Sequence, residues 1–210
     1  MLALSYVSGA LPFSGLAARL TAGADLRHVG SGTVSGTSLY QVAGFGPLAL
    51  AGSLDVAKGV VGPLLAGRER PVLGALAAGA AVAGHNWSPL LGGAGGRGVS
   101  TALGSTLVTA PEGTIILAGA LGVGRLVHQT GLACFVGILA LFPVLAHRRG
   151  LTGCVLASAL ALPMLGKRLA GNQPVDGGSD RRRVLLWRLL FDRDAFESAD
   201  DADGKAFVSR

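Results

Sequence analysis

Gly84-His85-Asn86-Trp87-Ser88-Pro89-Leu90-Leu91-Gly92-Gly93-Ala94-Gly95-Gly96-Arg97-Gly98-Val99-Ser100-Thr101 joins two apolar runs, and it is the one stretch where His, Trp, Arg and a glycine cluster stand together. Glycine lets backbone N–H groups approach a ligand closely, Arg97 adds a fixed positive charge, and Val99-Ser100-Thr101 opens a segment that reads as a helix. The stretch therefore reads as an anion-binding loop of phosphate size between apolar helices, at a membrane surface. It is not a nucleotide P-loop, because Gly95-Gly96-Arg97-Gly98 is followed by Val99 and lacks the Gly-Lys-Ser/Thr order that cradles phosphates and magnesium.

The chain around this loop is oily. Hydrophobic residues make up 50% of its 210 positions and charged ones 14%. The mean hydropathy is +0.54, too high for an ordinary soluble domain of this size. Seven apolar runs can be marked, at about 2–18, 44–66, 71–84, 99–110, 112–127, 130–146 and 151–166. A full bilayer span needs about 20 residues, so the third, fourth and seventh read as tilted or half-inserted helices. The 34 glycines suit close helix–helix approach in lipid, where small residues compensate for the missing hydrophobic drive. The predicted fold class is an all-α membrane protein of about seven transmembrane or partly inserted helices. Leu2 to Leu20 has no charged segment before it and is followed by further apolar runs, so it reads as a retained first membrane helix. Cys134 and Cys154 lie inside apolar runs without metal-like spacing and read as small buried hydrophobes.

Charge divides the chain. Seventeen of the thirty Lys, Arg, Asp and Glu residues follow Gly166, which predicts a membrane domain over 1–168 and a polar cytoplasmic tail over 169–210. Placing the N-terminus outside puts Arg19, Arg27, Arg97, Arg125, Lys167 and Arg168 inside, against Arg68, Arg70, Arg148 and Arg149 outside. The tail arginines fall on the same inner side, giving an N-out, C-in, multi-pass protein of the inner (plasma) membrane. After the turn-forming Gly171-Asn172-Gln173-Pro174, the segment Arg181 to Phe191 reads as a short amphipathic interfacial element, and 192–203 as a flexible acidic end. The +6 net charge has no basic stripe interleaved with aromatics, so nucleic acid is excluded as a partner and membrane lipids are expected.

Two further features carry candidate chemistry. The island from Asp25 through Ser31, Gly32, Thr33 and Thr37 to Ser38 is rich in hydroxyls and glycine. It reads either as a linker or, on the same face as Arg97, as a second donor-rich loop converging on one phosphorylated ligand. Asp55 and Lys58 lie three residues apart inside an apolar run, hence on one helical face. They read either as a mutual salt bridge or as a substrate device in which Lys58 holds phosphate and Asp55 orients it. No nucleophile elbow supports lipase-like chemistry.

Over about residues 8–168 these pieces resemble a known family. Gly9-Ala10-Leu11-Pro12-Phe13 is similar to its Gly-Ser-Ile-Pro-Phe start, and Asp25-Leu26-Arg27 leads into Gly30-Ser31-Gly32 like its Gly-Ser-Gly-Asn loop. Asp55-Val56-Ala57-Lys58-Gly59 resembles its Asp-x-x-Lys-Gly element. Gly84-His85 followed by Gly95-Gly96-Arg97-Gly98-Val99-Ser100-Thr101 looks like its Gly-Gly-Lys-Gly-Val-Ala-Thr motif at the family's spacing. The family is that of bacterial integral-membrane acyltransferases moving a fatty acyl group from acyl phosphate to glycerol 3-phosphate in phospholipid synthesis. The resemblance implies seven membrane helices, a cytoplasmic-side site, neither metal nor coenzyme, and acyl phosphate and glycerol 3-phosphate as partners. It implies His85 and Arg97 in catalysis, with Ser31, Gly32, Thr33, Thr37, Lys58, Gly95, Gly96 and Gly98 binding substrate. His85 would orient the glycine loop or transfer a proton.

The chain also departs from that pattern. The Asn after Gly-Ser-Gly is Thr33, the following Arg is Gln41, and Arg-Tyr-x-Ser-Leu becomes His128-Gln129-Thr130-Gly131-Leu132. In the C-terminal motif the His is Arg182 and the Asn is Leu185, while Arg188 and Leu189 are kept; Arg182 is the expected replacement for the lost cation. Three readings follow: an acyl-phosphate-dependent acyltransferase; an impaired relative that binds a lipid precursor or partner protein; and a small transporter, motivated by Asp55, Lys58 and broken helices.

Overall fold

The computed structural model describes residues 1–174 and 180–193. It is helical throughout, with α1 (Leu2–Ala10), α2 (Phe13–Ala22), α3 (Gly36–Ala43), α4 (Phe45–Ala66), α5 (Pro71–Asn86), α6 (Val99–Thr109), α7 (Pro111–Leu126), α8 (Thr130–Ala170) and α9 (Arg181–Phe191). By length and composition α4 and α8 are long and apolar enough to cross a bilayer.

The first apolar run is not one helix. Pro12 has no N–H and pushes the residue before it out of the helical region, so Leu11 is extended (φ −62°, ψ 119°) and the run divides into α1 and α2. Backbone carbonyls released by such a break need new donors in an apolar setting. Ala10 O accepts from Ser88 Oγ at 2.6 Å and Leu11 O from Lys58 Nζ at 2.6 Å. The last two apolar runs instead join as α8, interrupted at Gly150, whose φ of 55° and ψ of −136° are not helical. A Cβ on Gly153 would collide with the Leu145 carbonyl, so the chain bends sharply there.

Small residues set the helix crossings. A Cβ on Gly59 would run into the Thr101 carbonyl, and one on Gly104 into the Val56 carbonyl, so α4 and α6 touch backbone to backbone. Gly9 and Gly84 pair α1 with α5 in the same reciprocal way. Ser105 Oγ closes the α4–α6 contact by donating to Gly59 O at 2.8 Å.

The main core joins Ala75, Ala78 and Val82 of α5 to Ala102, Leu117 and the α8 residues Ile138, Leu141, Leu156, Leu160 and Met164. A second cluster, of Ala18, Leu26, Val34, Leu39, Ala51 and Leu91, lies under the two polar loops. Large apolar side chains also cover the outside, among them Leu4, Val7, Phe45, Leu50, Leu64, Ile115 and Leu162. An apolar outside over an apolar inside matches lipid as solvent. Both cysteines are free, Cys134 buried and Cys154 half-buried. Lys167 and Arg168, counted above with the inner flanking charges, are buried at 2% exposure each, because their donors satisfy backbone carbonyls. The acidic end from 194 onward lies outside the described residues.

Candidate functional site

The glycine loop is built on α5. Gly96 N–H donates to His85 O at 3.2 Å, Ser88 N–H to Ala94 O at 3.1 Å, and Gly93 N–H to Ser88 O at 2.9 Å. Side chains are barred at its tip: a Cβ on Gly96 would strike His85 Nε2, so the imidazole edge packs against the loop backbone. Gly98, at φ 79°, turns the chain into α6, and a Cβ there would sit 2.6 Å from Val82 Cγ1.

The hydroxyl-rich island starts on a capped turn and ends on a capped helix. Asp25 accepts from Arg27 N and forms ion pairs with Arg27 Nη2 at 2.6 Å and Arg19 Nη2 at 2.9 Å. The Arg27 guanidinium, helped by Arg19, holds the Asp25 carboxyl well below the usual carboxylate range. Ser35 caps α3 by accepting from Ser38 N. Between them the Ser31 and Thr33 hydroxyls are 2.9 Å apart.

The two loops meet. Val34 N–H donates to Gly95 O at 3.1 Å, and Asn172 Nδ2 bridges Gly32 O at 3.0 Å and Gly95 O at 2.9 Å. Gln173 Nε2 adds a bond to Gly30 O at 3.1 Å. The stretch 171–174, read from sequence as a turn-forming linker, is thus the clamp between the loops. A polar side chain in a glycine- and proline-flanked turn gives no local signal of this; only its bonds reveal it.

Two clefts flank the glycine-loop backbone. One is lined by Ser14, Asp55, Lys58, His85, Ser88, Gly95 and Gly96, against the α1–α2 break. Lys58 Nζ lies 2.8 Å from Asp55 Oδ1, Ser14 Oγ donates to Asp55 Oδ2 at 2.8 Å, and His85 Nδ1 is 3.9 Å from Asp55 Oδ1. Asp55 and Lys58 are 2% and 4% exposed. The salt bridge expected as one reading of this pair is present, and its lysine also fills the helix break.

The second cleft is lined by Ser31, Arg97, Gly171, Arg188, Asp192 and Arg193. Arg97 Nη1 donates to Lys167 O at 3.2 Å, and its Nε lies 2.5 Å from Asp192 Oδ1. Arg188 is buried, donating to Ala170 O at 3.2 Å and Gln173 O at 3.0 Å. Helix α9, read above as interfacial, therefore supplies part of this wall. Arg182, the expected replacement cation, is exposed on the first turn of α9 and lines neither described cleft; Arg188 and Arg193 do so instead.

Of the residues singled out in the sequence, the structure brings Ser31 and Arg97 together in one cleft and Lys58, His85, Gly95 and Gly96 in the other. Gly32 and Thr33 support the Ser31 loop from buried positions, and Gly98 shapes the entry to α6. Thr37 is exposed on α3 and lines neither of the two clefts, as is Gln41. Asn172, Gln173 and Asp192 are the site residues that sequence reasoning missed.

Comparison with known proteins shows the family. The family model for glycerol-3-phosphate acyltransferase matches residues 1–169. A glycerol-3-phosphate acyltransferase of Synechococcus sp. (strain CC9902) is 34% identical over 185 residues, 83% of this chain and 92% of the relative. One from Rhodospirillum rubrum is 41% identical over 152 residues, 67% of this chain and 69% of the relative. Among solved structures, the glycerol 3-phosphate form of PlsY (YgiH), an integral membrane glycerol 3-phosphate acyltransferase, superposes with a TM-score of 0.74 at 25% identity, covering 92% of each chain. With two glycine-shaped loops clamped over a helical bundle that is apolar inside and out, this chain is a membrane protein and belongs to the glycerol-3-phosphate acyltransferase family.

Proposed function

We propose that the protein transfers a fatty acyl group from acyl phosphate to glycerol 3-phosphate, giving lysophosphatidic acid and inorganic phosphate, as a multi-pass protein of the inner membrane with its N-terminus outside. The observation that carries this reading is the second cleft, where Arg97, Arg188 and Arg193 line one space with Ser31. Guanidinium forks and a hydroxyl make a phosphate-binding chemistry.

The glycerol hydroxyl oxygen attacks the acyl carbon, the bond from that carbon to the phosphate oxygen breaks, and phosphate leaves. The hydroxyl proton passes to the departing phosphate or to His85. Acyl phosphate is a mixed anhydride with a good leaving group, so positioning and charge neutralisation supply most of the rate. Arg97 and Ser31 bind phosphate, and Gly95 and Gly96 shape the loop that carries Arg97. His85 fixes the loop through its contact with Gly96. Lys58 supports the loop region by holding the α1–α2 break.

Purified protein given acyl phosphate and glycerol 3-phosphate releases inorganic phosphate, and Arg97→Ala lowers that release at least ten-fold. No release above the Arg97→Ala background overturns this reading. It favours instead the impaired relative that binds a lipid precursor or partner protein, the reading motivated by Gln41, Arg182 and Leu185, which stand where the resemblance calls for Arg, His and Asn and line neither cleft.

A further inference from the structure

The second cleft contains an acid among its cations. Asp192 closes α9 in the left-handed region (φ 59°, ψ 34°), one of two non-glycine residues with positive φ among the described residues. Left-handed backbone disfavours most side chains but is tolerated by Asp and Asn. That turn aims the carboxylate back along the cleft, 2.5 Å from Arg97 Nε, with Arg188 and Arg193 lining the same space. The Arg97 side chain is 10% exposed and that of Asp192 is 23% exposed. The pair is thus shielded enough to matter and open enough to exchange.

We propose that Asp192 is an internal competitor of the substrate phosphate: its carboxylate takes the Arg97 guanidinium that the phosphate of glycerol 3-phosphate must engage, and so sets the KM for that substrate. The inference rests on the reading of Arg97 as a phosphate ligand. A carboxylate and a phosphate each offer the guanidinium an anionic partner, so binding exchanges one ion pair for another. The substrate brings up to two negative charges against one into a cleft lined by further arginines, so exchange is favourable while its affinity is reduced. Asp192 acts on the acceptor's phosphate and not on the acyl transfer itself, so the effect belongs in KM.

The test compares the full chain, purified in detergent, with Asp192→Asn, Asp192→Gly and Arg97→Ala. It reads KM for glycerol 3-phosphate at saturating acyl phosphate, kcat, and calorimetric binding of inorganic phosphate. Asp192→Asn keeps size and tolerance of the left-handed turn while removing the charge. It should lower KM about ten-fold and tighten phosphate binding in parallel, with kcat changed less than about three-fold, since the ion pair to Arg97 is removed from the competition. Asp192→Gly suits the same backbone and should behave alike. A KM that is unchanged or raised in both variants, while Arg97→Ala still raises it, overturns the inference and makes Asp192 a residue that holds Arg97 in place. Divergence of the Asn and Gly variants overturns it too, since the effect would then be one of backbone. If Arg97→Ala alters neither KM nor phosphate binding, the reading of the cleft fails, and this inference with it.

Discussion

Replacing Lys58 with Met tests what holds the α1–α2 break and the floor of the first cleft. The substitution keeps length and apolar stem but removes the ammonium. In the structure that group is buried, 2.8 Å from Asp55 Oδ1 and bonded to Leu11 O at 2.6 Å. Breaking a buried pair by removing one partner costs about 3–5 kcal/mol, because the other charge is left uncompensated. A buried carbonyl without its donor costs about 1–3 kcal/mol more. At roughly 2–4 °C per kcal/mol for a chain of this size, even the lower figure lowers the thermal midpoint in detergent by about 6 °C or more. The double variant Asp55→Asn with Lys58→Met removes the stranded charge, so it should regain a large part of that loss while leaving the Leu11 carbonyl unmet. Midpoints from intrinsic fluorescence decide. A Lys58→Met midpoint within about 2 °C of the parent, or a double variant less stable than the single, refutes the reasoning and returns Lys58 to direct phosphate binding, which KM for glycerol 3-phosphate would then report.

Other outcomes follow from the same geometry. Asn172→Ala deletes two bonds that join Gly32 O to Gly95 O, together worth about 1–3 kcal/mol, and should raise KM for glycerol 3-phosphate roughly five- to a hundred-fold in phosphate-release kinetics. Gly104→Leu drives a side chain into the Val56 carbonyl and should abolish monodisperse protein on size exclusion, whereas Gly119→Ala, whose added Cβ meets nothing within 4 Å, should elute as the parent. Asp25 has a folded-state carboxyl held below its ordinary value, so its stabilising contribution is complete above the ordinary carboxylate range and is lost as pH falls through the depressed value. Asp25→Asn should therefore be less stable than the parent near pH 7, and the two thermal midpoints should converge as the medium becomes strongly acidic.

Particular residues mark how far the sequence could be read. Hydrophobic runs and glycine content predicted an all-α membrane protein, because lipid solvation is a property of composition and length. Pro12 lay in plain view within the first run, yet its consequence depends on donors 46 and 76 residues away, Lys58 and Ser88. The Gly95-Gly96-Arg97 loop and the Ser31 loop were both legible as donor-rich islands, since glycine and hydroxyl content are local. That they touch through Val34 and are clamped by Asn172 was not.

The sequence alone determined the membrane-helix class, the family and the glycine loop, each written in short-range composition or in motif spacing. Only the tertiary structure decided which charges face one another. Arg182 and Arg188 differ by six residues on α9, about 240° of helical rotation, so one of them can line the Arg97 cleft while the other meets solvent. Which one does so depends on how α9 packs against α8, a long-range contact that no local pattern encodes. The same packing places the carboxylate of Asp192 on Arg97, setting an acid from the tail against a cation from the central loop.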